Sequence, residues 1–200
     1  MSLLINNSQS VLNIGNTSPI CQSPSSIGRD EYALNLLKDR PYLKFIRGHS
    51  DFAMVVENKN TNQCGLFSIL SFKKDDNITS FGYFNIQPNP TYLTVQIGHD
   101  KHINLDPDDL HFINHSCDPN VFFDTTNFKI IALKDIIAGN EFTFFYPSTE
   151  WKMAQSFDCL CNSSKCLHKI QGAYYIDHNT IANYRLSDFI HANIYDRDYW

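Results

Sequence analysis

The sequence contains no run of apolar residues that approaches the ~20 needed to cross a bilayer, which argues against a membrane-spanning helix. The opening stretch MSLLINNSQSVLNIG lacks both a charged leader and a sustained apolar segment, so no secretory signal is evident. We therefore expect an intracellular protein, cytoplasmic or nuclear, with no membrane partner.

Positive charge is also scarce, because 16 lysines and arginines face 21 aspartates and glutamates. The formal net charge of −5 makes nucleic acid an unattractive partner for the surface as a whole, so no direct nucleic-acid binding is expected. A mildly acidic protein is better suited to a basic peptide.

Helical segments between the β-like runs are missing, which argues against a parallel α/β fold. From Phe52 onward the sequence instead consists of short β-like runs separated by clusters of Asn, Asp, Gly and Pro. This texture predicts one mainly β domain of small sheets with short helices. Apolar residues make up 42% of the chain and aromatic residues 14%, enough for a sizeable core. The runs are FAMVVE, GLFSIL, TYLTVQIG, VFFD, FKIIAL and EFTFFY.

The two ends differ from this β-rich middle. Residues 1–28 are rich in Ser and Asn and are predicted to form a flexible N-terminal arm. The stretch RDEYALNLLKDR predicts a short helix with Asp30 as its candidate N-cap. Near the other end, the spacing of four apolar residues predicts one amphipathic helix. These residues are Ile181, Tyr184, Phe189 and Ile194.

A cluster of cysteines follows the last β-like run. Cys159, Cys161 and Cys166 form a C-x-C-x4-C arrangement, which in an intracellular chain indicates metal ligands rather than disulfides. A tetrahedral zinc ion takes sulfur ligands at about 2.3 Å, and close sequence spacing lets one loop supply three of them. Two residues are candidates for the fourth ligand. His168 is the nearest, whereas Cys117 is distant and would tie the tail to the middle of the domain.

Three stretches, in this order and spacing, resemble the SET-domain protein lysine methyltransferases with a post-SET segment. They are FINHSCDPN, then EFTFFY, then the cysteine tail introduced by STEWKMAQSFDCLC. The likeness runs from about Asp51 to Gln171. It implies a SET domain over 29–150, a post-SET zinc segment over 151–172 and a C-terminal helical tail over 173–200. The SET fold consists of several small β-sheets around a knot-like crossing.

The resemblance implies that the chain transfers methyl groups from S-adenosylmethionine to the side-chain amine of a lysine in a protein or peptide. A histone tail is one candidate substrate, and the oligomeric state is left open. Cys117 matches the family's fourth zinc ligand, whereas the position of His168 is not a ligand there. The implied zinc ligands are therefore Cys117, Cys159, Cys161 and Cys166.

The resemblance also implies a set of cofactor contacts. Asn114 would hydrogen-bond the amino-acid end of S-adenosylmethionine, and His115 would contact the adenine through its backbone. Gly65 would present its backbone where a side chain would clash. Its neighbours Cys64 and Leu66 would present backbone amides to the cofactor in the same way.

Three aromatic residues are implied at the lysine channel. Tyr146 matches the tyrosine beside the transferring methyl group, where its hydroxyl would orient the cofactor and the amine. Tyr92 matches a second tyrosine that hydrogen-bonds the lysine nitrogen. Phe144 falls where the family has Phe or Tyr, and the missing hydroxyl implies room for an amine that already carries methyl groups. We therefore expect two or three methyl groups to be added to one lysine.

The sequence departs from the family pattern at three positions. Gln63 replaces the first glycine of a Gly-x-Gly loop, His111 replaces an arginine, and Phe145 replaces an aspartate. These changes bear on cofactor affinity and core contacts. Two alternative functions are a zinc-containing interaction module that has lost catalysis and a methyltransferase for a non-histone peptide or a small amine.

Overall fold

The computed structural model describes residues 30–49 and 51–199, so the predicted arm over 1–28 lies outside the described residues. The first described element is helix α1 (Asp30–Leu37), which confirms the helix predicted from RDEYALNLLKDR. No helix within the described ranges is both long enough and apolar enough to pass through a bilayer.

A three-stranded antiparallel sheet follows α1, in the order β1 (Leu43–His49), β2 (Ala53–Asn58), β3 (Gln63–Ser68). Strand β2 is apolar on both faces because both faces are covered. Its residues Ala53 and Val55 pack into the main core, whereas Met54 and Val56 pack toward α1. The continuous run FAMVVE thus reflects a strand buried between a helix and a core.

Two further antiparallel sheets complete the main body. Their strands are β4 (Asn77–Ser80), β5 (Gly82–Gln87), β6 (Thr94–Gly98), β7 (Lys101–Asp106), β9 (Val121–Asp124) and β10 (Lys129–Ala132). In one sheet the strand order is β4-β10-β9, and in the other it is β5-β7-β6. All six predicted β-like runs contain a strand, and the mainly β fold of small sheets is confirmed.

Two very short sheets bring distant parts of the chain together. Strand β8 (Asn114–His115) pairs in parallel with β11 (Thr143–Phe144), so that Asn114 lies opposite Thr143 and His115 opposite Phe144. Strand β12 (Phe157–Asp158) pairs antiparallel with β13 (Lys169–Ile170) and closes the cysteine-containing loop between them. The first pairing joins the FINHSCDPN stretch to the EFTFFY stretch.

The prediction of a single C-terminal amphipathic helix is wrong. The structure contains a one-turn helix α2 (His178–Ile181) and a longer helix α3 (Asp188–Tyr199). The interruption has a capping origin, since the Ser187 hydroxyl accepts a hydrogen bond from the Ile190 amide and starts α3 as a new helix. Tyr184 lies between the two helices.

Candidate functional site

The parallel pair of β8 and β11 assembles a compact group of polar and aromatic side chains. The Tyr146 ring lies 4.6 Å from the Phe144 ring and 5.2 Å from the His115 ring, measured between centroids. Phe157, from the tail, closes the group at 5.9 Å from Tyr146. Three of the predicted site residues are therefore brought together from stretches that are about 30 positions apart in the sequence.

The Tyr146 hydroxyl is held in a defined position. It donates a hydrogen bond to the Ile113 carbonyl at 3.3 Å. Burial raises the pKa of Tyr146 well above its usual range, with smaller contributions from the charges of Glu141 and Glu150. The hydroxyl therefore stays protonated at neutral pH and acts as a fixed dipole rather than a base.

His115 connects the Tyr146 group to the cysteines. Its Nδ1 accepts a hydrogen bond from the Tyr146 amide at 3.3 Å, which leaves the ring proton on Nε2, 3.3 Å from the Cys117 sulfur. Burial lowers the pKa of His115 to about 4, so the ring is neutral at physiological pH. The side chain is used for internal contacts, which is compatible with a ligand contact made through its backbone.

A cleft of about 280 Å³, called here the Gly65 cleft, opens beside this group. Cys64, Gly65, Asn114 and Glu141 are among the residues that line it. The Asn114 amide nitrogen donates to the Cys64 carbonyl and to Glu141 Oε1, both at 2.8 Å. A Cβ atom at Gly65 would lie 2.5 Å from Glu141 Oε1 and 3.1 Å from Asn114 Nδ2. Glycine is therefore what keeps the cleft open.

The hydrogen-bond acceptors of the Gly65 cleft fit the ammonium group at the amino-acid end of S-adenosylmethionine. Asn114 Oδ1 accepts no hydrogen bond from the described residues and is free to accept one from an ammonium group. The Glu141 carboxyl supplies further acceptor oxygens, and burial raises its pKa above the usual range. The volume of about 280 Å³ lies just below the range of about 300–1,000 Å³ typical of small-molecule pockets.

Two predicted site residues lie apart from this cleft. The Leu66 side chain is fully buried in the core, and its carbonyl accepts a hydrogen bond from the Phe142 amide. Tyr92 lies in the turn before β6 with 66% of its surface exposed, rather than in the strand. The ring contacts of Tyr146 are with His115, Phe144 and Phe157, and Tyr92 is not among them. A role for Tyr92 at the lysine amine stays a prediction.

The four predicted metal ligands converge. The sulfur atoms of Cys117, Cys159, Cys161 and Cys166 all lie within 4.8 Å of one another. The sulfurs of Cys117 and Cys159 are 3.9 Å apart, whereas a tetrahedral zinc ion with Zn–S bonds of about 2.3 Å would place them about 3.8 Å apart. The arrangement is therefore compatible with a zinc ion bound by four thiolates.

His168 is not part of the cysteine group. Its side chain is exposed, and only its backbone turns toward the cluster, with φ at 61° and its carbonyl accepting the Cys159 amide at 2.6 Å. The Cys117 sulfur instead accepts the Leu167 amide at 3.4 Å, and the Cys117 carbonyl accepts the Tyr184 hydroxyl at 2.9 Å. Both the cysteine loop and the segment around Tyr184 are thus anchored on Cys117.

The sequence analysis did not predict Glu150, a buried carboxyl close to this site. Its Oε1 accepts the Gln96 amide at 2.7 Å, and the Gln96 side-chain oxygen accepts the Trp151 amide at 2.9 Å. Burial raises the pKa of Glu150 to about 8. The only sequence signal that could have identified it is the acidic residue in YPSTEW, which lies between two aromatic residues.

We expect Glu150 to make the folding stability fall as pH rises. The unfolded carboxyl loses its proton near 4.5 and the folded one near 8, so in this window the folded state holds the additional proton. From pH 6 to pH 8 the contribution of Glu150 to the free energy of unfolding should fall by roughly 2–3 kcal/mol. Glu150→Gln, which keeps an acceptor oxygen for the Gln96 amide, should remove this contribution in denaturant titrations at the two pH values.

The exposed Glu31 offers a matched control, because Glu31→Gln should leave the pH dependence as it is in the original protein. An identical fall in stability for the Glu150→Gln variant and the original protein would show that the buried carboxyl is not the titrating group.

Comparison with known proteins gives a family match and several relatives, of which two are described here. The family model described as SET domain matches residues 13–147. The chain is 40% identical over 105 residues to Methyltransferase flvH of Aspergillus flavus, which covers 52% of this chain and 58% of that protein. The chain thus spans less than two thirds of this relative's length.

The second relative is a solved structure, the methyltransferase domain of human histone-lysine N-methyltransferase SETMAR. It has a TM-score of 0.41 and 14% sequence identity to this chain. The likeness covers 65% of this chain and 58% of that one, and it is too distant to support a conclusion on its own.

Proposed function

This chain belongs to the SET-domain family, and from that premise we propose that it is an S-adenosylmethionine-dependent protein-lysine N-methyltransferase. The observation that carries the proposal is the convergence of two elements at the β8–β11 pair. One is the Gly65 cleft with its ammonium acceptors at Asn114, and the other is the protonated Tyr146 hydroxyl on the adjoining segment. One element would bind the methyl donor, and the other would orient the reacting groups.

The Gly65 cleft would hold the cofactor, whose sulfonium group supplies a reactive methyl when bound. Asn114 Oδ1 and the Glu141 carboxyl would accept hydrogen bonds from the amino-acid end. Gly65 would admit the cofactor where a Cβ would meet Glu141 Oε1. The Cys64 backbone would add a contact within the cleft, and the backbones of Leu66 and His115 stay predicted contacts outside its lining.

Tyr146 and Phe144 would shape the site for the lysine amine. Displacement requires a neutral amine, and a lysine in water is mostly protonated because its pKa is near 10.4. Burial in a narrow apolar channel disfavours the charged form and lowers that pKa. The Tyr146 hydroxyl, fixed on the Ile113 carbonyl, would orient the amine. Phe144 offers no hydroxyl to restrain a methylated amine, so the addition of two or three methyl groups is expected.

We assign zinc to the four-cysteine cluster as a structural ion. All four ligands are cysteines, so the site keeps no open position for a substrate. Cys117 belongs to the main body, whereas Cys159, Cys161 and Cys166 belong to the tail. Zinc would therefore hold the segment over 151–172, which includes Phe157, against the Tyr146 ring.

The substrate is proposed from charge alone. A net charge of −5 suits a basic peptide, with a histone tail as one candidate and a non-histone peptide or small amine as the alternative. A non-catalytic zinc-containing module is a second candidate function. The observation that favours it is Gln63, which occupies the first glycine position of the family loop and lines the Gly65 cleft.

Titration calorimetry with S-adenosylmethionine separates the two functions. We expect saturable binding of one cofactor per zinc-loaded chain. Gly65→Val should weaken it at least tenfold, because the added side chain would occupy the cleft. Gly48→Val is the matched control, since a Cβ at Gly48 meets nothing within 4 Å. A folded, zinc-loaded chain that binds no cofactor would instead support the non-catalytic module.

A further inference from the structure

A second cavity of about 280 Å³ shares no lining residue with the Gly65 cleft. It lies where the segment after Cys117 and the end of the EFTFFY stretch meet the C-terminal segment around Tyr184. It is called here the Ser148 pocket. Nothing in the proposed methyl transfer uses it.

Three aromatic residues, Phe122, Phe145 and Tyr184, are among those that line the Ser148 pocket. The Tyr184 ring stacks on the Phe145 ring with centroids 3.7 Å apart and an interplanar angle of 8°. On the side of Phe122, the Arg185 guanidinium lies 4.5 Å from the ring centroid. Phe122 and Phe145 are buried, whereas Tyr184 is only partly buried, so its ring offers a flat surface to a flat apolar body.

The charges that line the pocket are mainly positive. Lys134, Lys165 and Arg185 face it together with a single carboxylate, that of Asp118. Asp118 binds both lysines, with Nζ–O distances of 2.9 Å and 3.2 Å, so one negative charge is shared by two cations. The lining therefore carries two positive charges in excess.

Arg185 has hydrogen-bonding capacity to spare. Its guanidinium forms no hydrogen bond with any residue that the structure describes. The nearby Asp124 carboxylate, which feels the Arg185 charge, is already engaged by the amide groups of Asn127 at 3.0 Å. A guanidinium offers several N–H donors in a planar fork, the geometry that carboxylates and phosphates accept.

Ser148 gives an independent indication of a ligand. The residue is 2% exposed, yet its hydroxyl has no hydrogen-bond partner within residues 30–49 and 51–199. Its backbone is fully engaged, since the amide donates to the Phe145 carbonyl and the Ser148 carbonyl accepts the Ser187 amide. A buried hydroxyl without a partner is unfavourable, so an anion that reached Ser148 Oγ would supply the missing hydrogen bond.

We propose that the Ser148 pocket binds a small organic anion, a carboxylate or phosphate group attached to a flat apolar body. The anionic group would lie among Arg185, Lys134 and Lys165, and the Ser148 hydroxyl would donate to it. The apolar body would lie against the Tyr184 ring, whose other face is stacked on Phe145. The proposal does not depend on methyl transfer, because it concerns a different cavity.

The Ser148 pocket lies next to residues that contact or adjoin both the proposed methyl-transfer residue Tyr146 and the proposed zinc ligand Cys117. Phe145 immediately precedes Tyr146, and Tyr184, which stacks on Phe145, donates its hydroxyl to the Cys117 carbonyl. An anion in the Ser148 pocket would touch the neighbours of the methyl-transfer residue and of a metal ligand.

The test uses the zinc-loaded chain at fixed ionic strength with benzoate and phenyl phosphate as probes. Benzamide serves as the neutral probe of the same shape. Binding is followed by calorimetry or by nuclear magnetic resonance shifts. We expect saturable binding of at least one anion, at least tenfold tighter than that of benzamide. Arg185→Gln should weaken this binding about tenfold and Ser148→Ala about fivefold, as lost charged and neutral hydrogen bonds do.

Lys73→Gln is the matched charge control, because Lys73 is an exposed lysine paired with Asp135 and absent from the pocket. It should leave anion binding unchanged, and thermal melting verifies that each variant is folded. The proposal is overturned if neither anion saturates the protein or if benzamide binds equally well. It is also overturned if the folded Arg185→Gln variant binds as the original protein does.

Discussion

Tyr146→Phe is expected to slow methyl transfer by about two orders of magnitude or more, the usual cost of removing one preorganised hydrogen-bonding group from an active site. The substitution removes one oxygen and keeps the ring, which packs against Phe144, His115 and Phe157. The hydroxyl donates its hydrogen bond to the Ile113 carbonyl, so the fold should lose about 0.5–1.5 kcal/mol at most. Initial rates with a verified peptide, together with the melting temperature, measure both effects.

Tyr175→Phe provides the matched control, because Tyr175 is 55% exposed and lies outside the Tyr146 group. It should leave both the rate and the melting temperature as they are. If the folded Tyr146→Phe variant works at the original rate, the hydroxyl has no part in the reaction and Tyr146 is a packing residue.

Cys117→Ser is expected to remove most of the bound zinc. Cys117 is fully buried and lies 3.9 Å, sulfur to sulfur, from Cys159, so it is the ligand that joins the main body to the tail. A serine hydroxyl is a much poorer ligand for zinc than a thiolate. His168→Ala should retain about one zinc ion per chain, because its side chain is exposed and lies outside the sulfur group. Elemental analysis of the purified variants measures the difference.

The two variants together can also overturn the assignment of Cys117 as the fourth zinc ligand. Retention of zinc by the Cys117→Ser variant alongside loss of zinc by the His168→Ala variant would make His168 the fourth ligand. If the original protein contains no metal after preparation under reducing conditions with zinc supplied, the hypothesis of a zinc site is wrong.

The fold was predictable where the local pattern matched its environment. The run FAMVVE predicted a strand because β2 is buried on both faces, between α1 and the core. Strand β5 escaped detection because most of its residues are exposed, which leaves no alternation to recognise. The C-terminal helices were merged into one because apolar spacing continues across residues 182–187, whereas the break depends on the Ser187 cap.

The candidate site, like the fold, was predictable where the signal is local in the sequence and not where it depends on distant residues. The spacing of Cys159, Cys161 and Cys166 indicated three metal ligands, but the choice of the fourth needed the resemblance and is supported by the sulfur positions. The acceptors at Glu141 and the buried carboxyl of Glu150 depend on contacts with residues far away in the sequence. No local pattern reports such contacts.

The central claim is that this chain transfers methyl groups from S-adenosylmethionine to lysine. Its most direct test is mass spectrometry of basic peptides and cell-extract proteins after incubation with the zinc-loaded chain and isotopically labelled cofactor. The predicted result is a labelled mass gain of one, then two or three, methyl groups on a lysine side chain. The claim is contradicted if a folded, zinc-loaded and cofactor-binding chain adds no labelled methyl group to lysine in any peptide or protein of the panel.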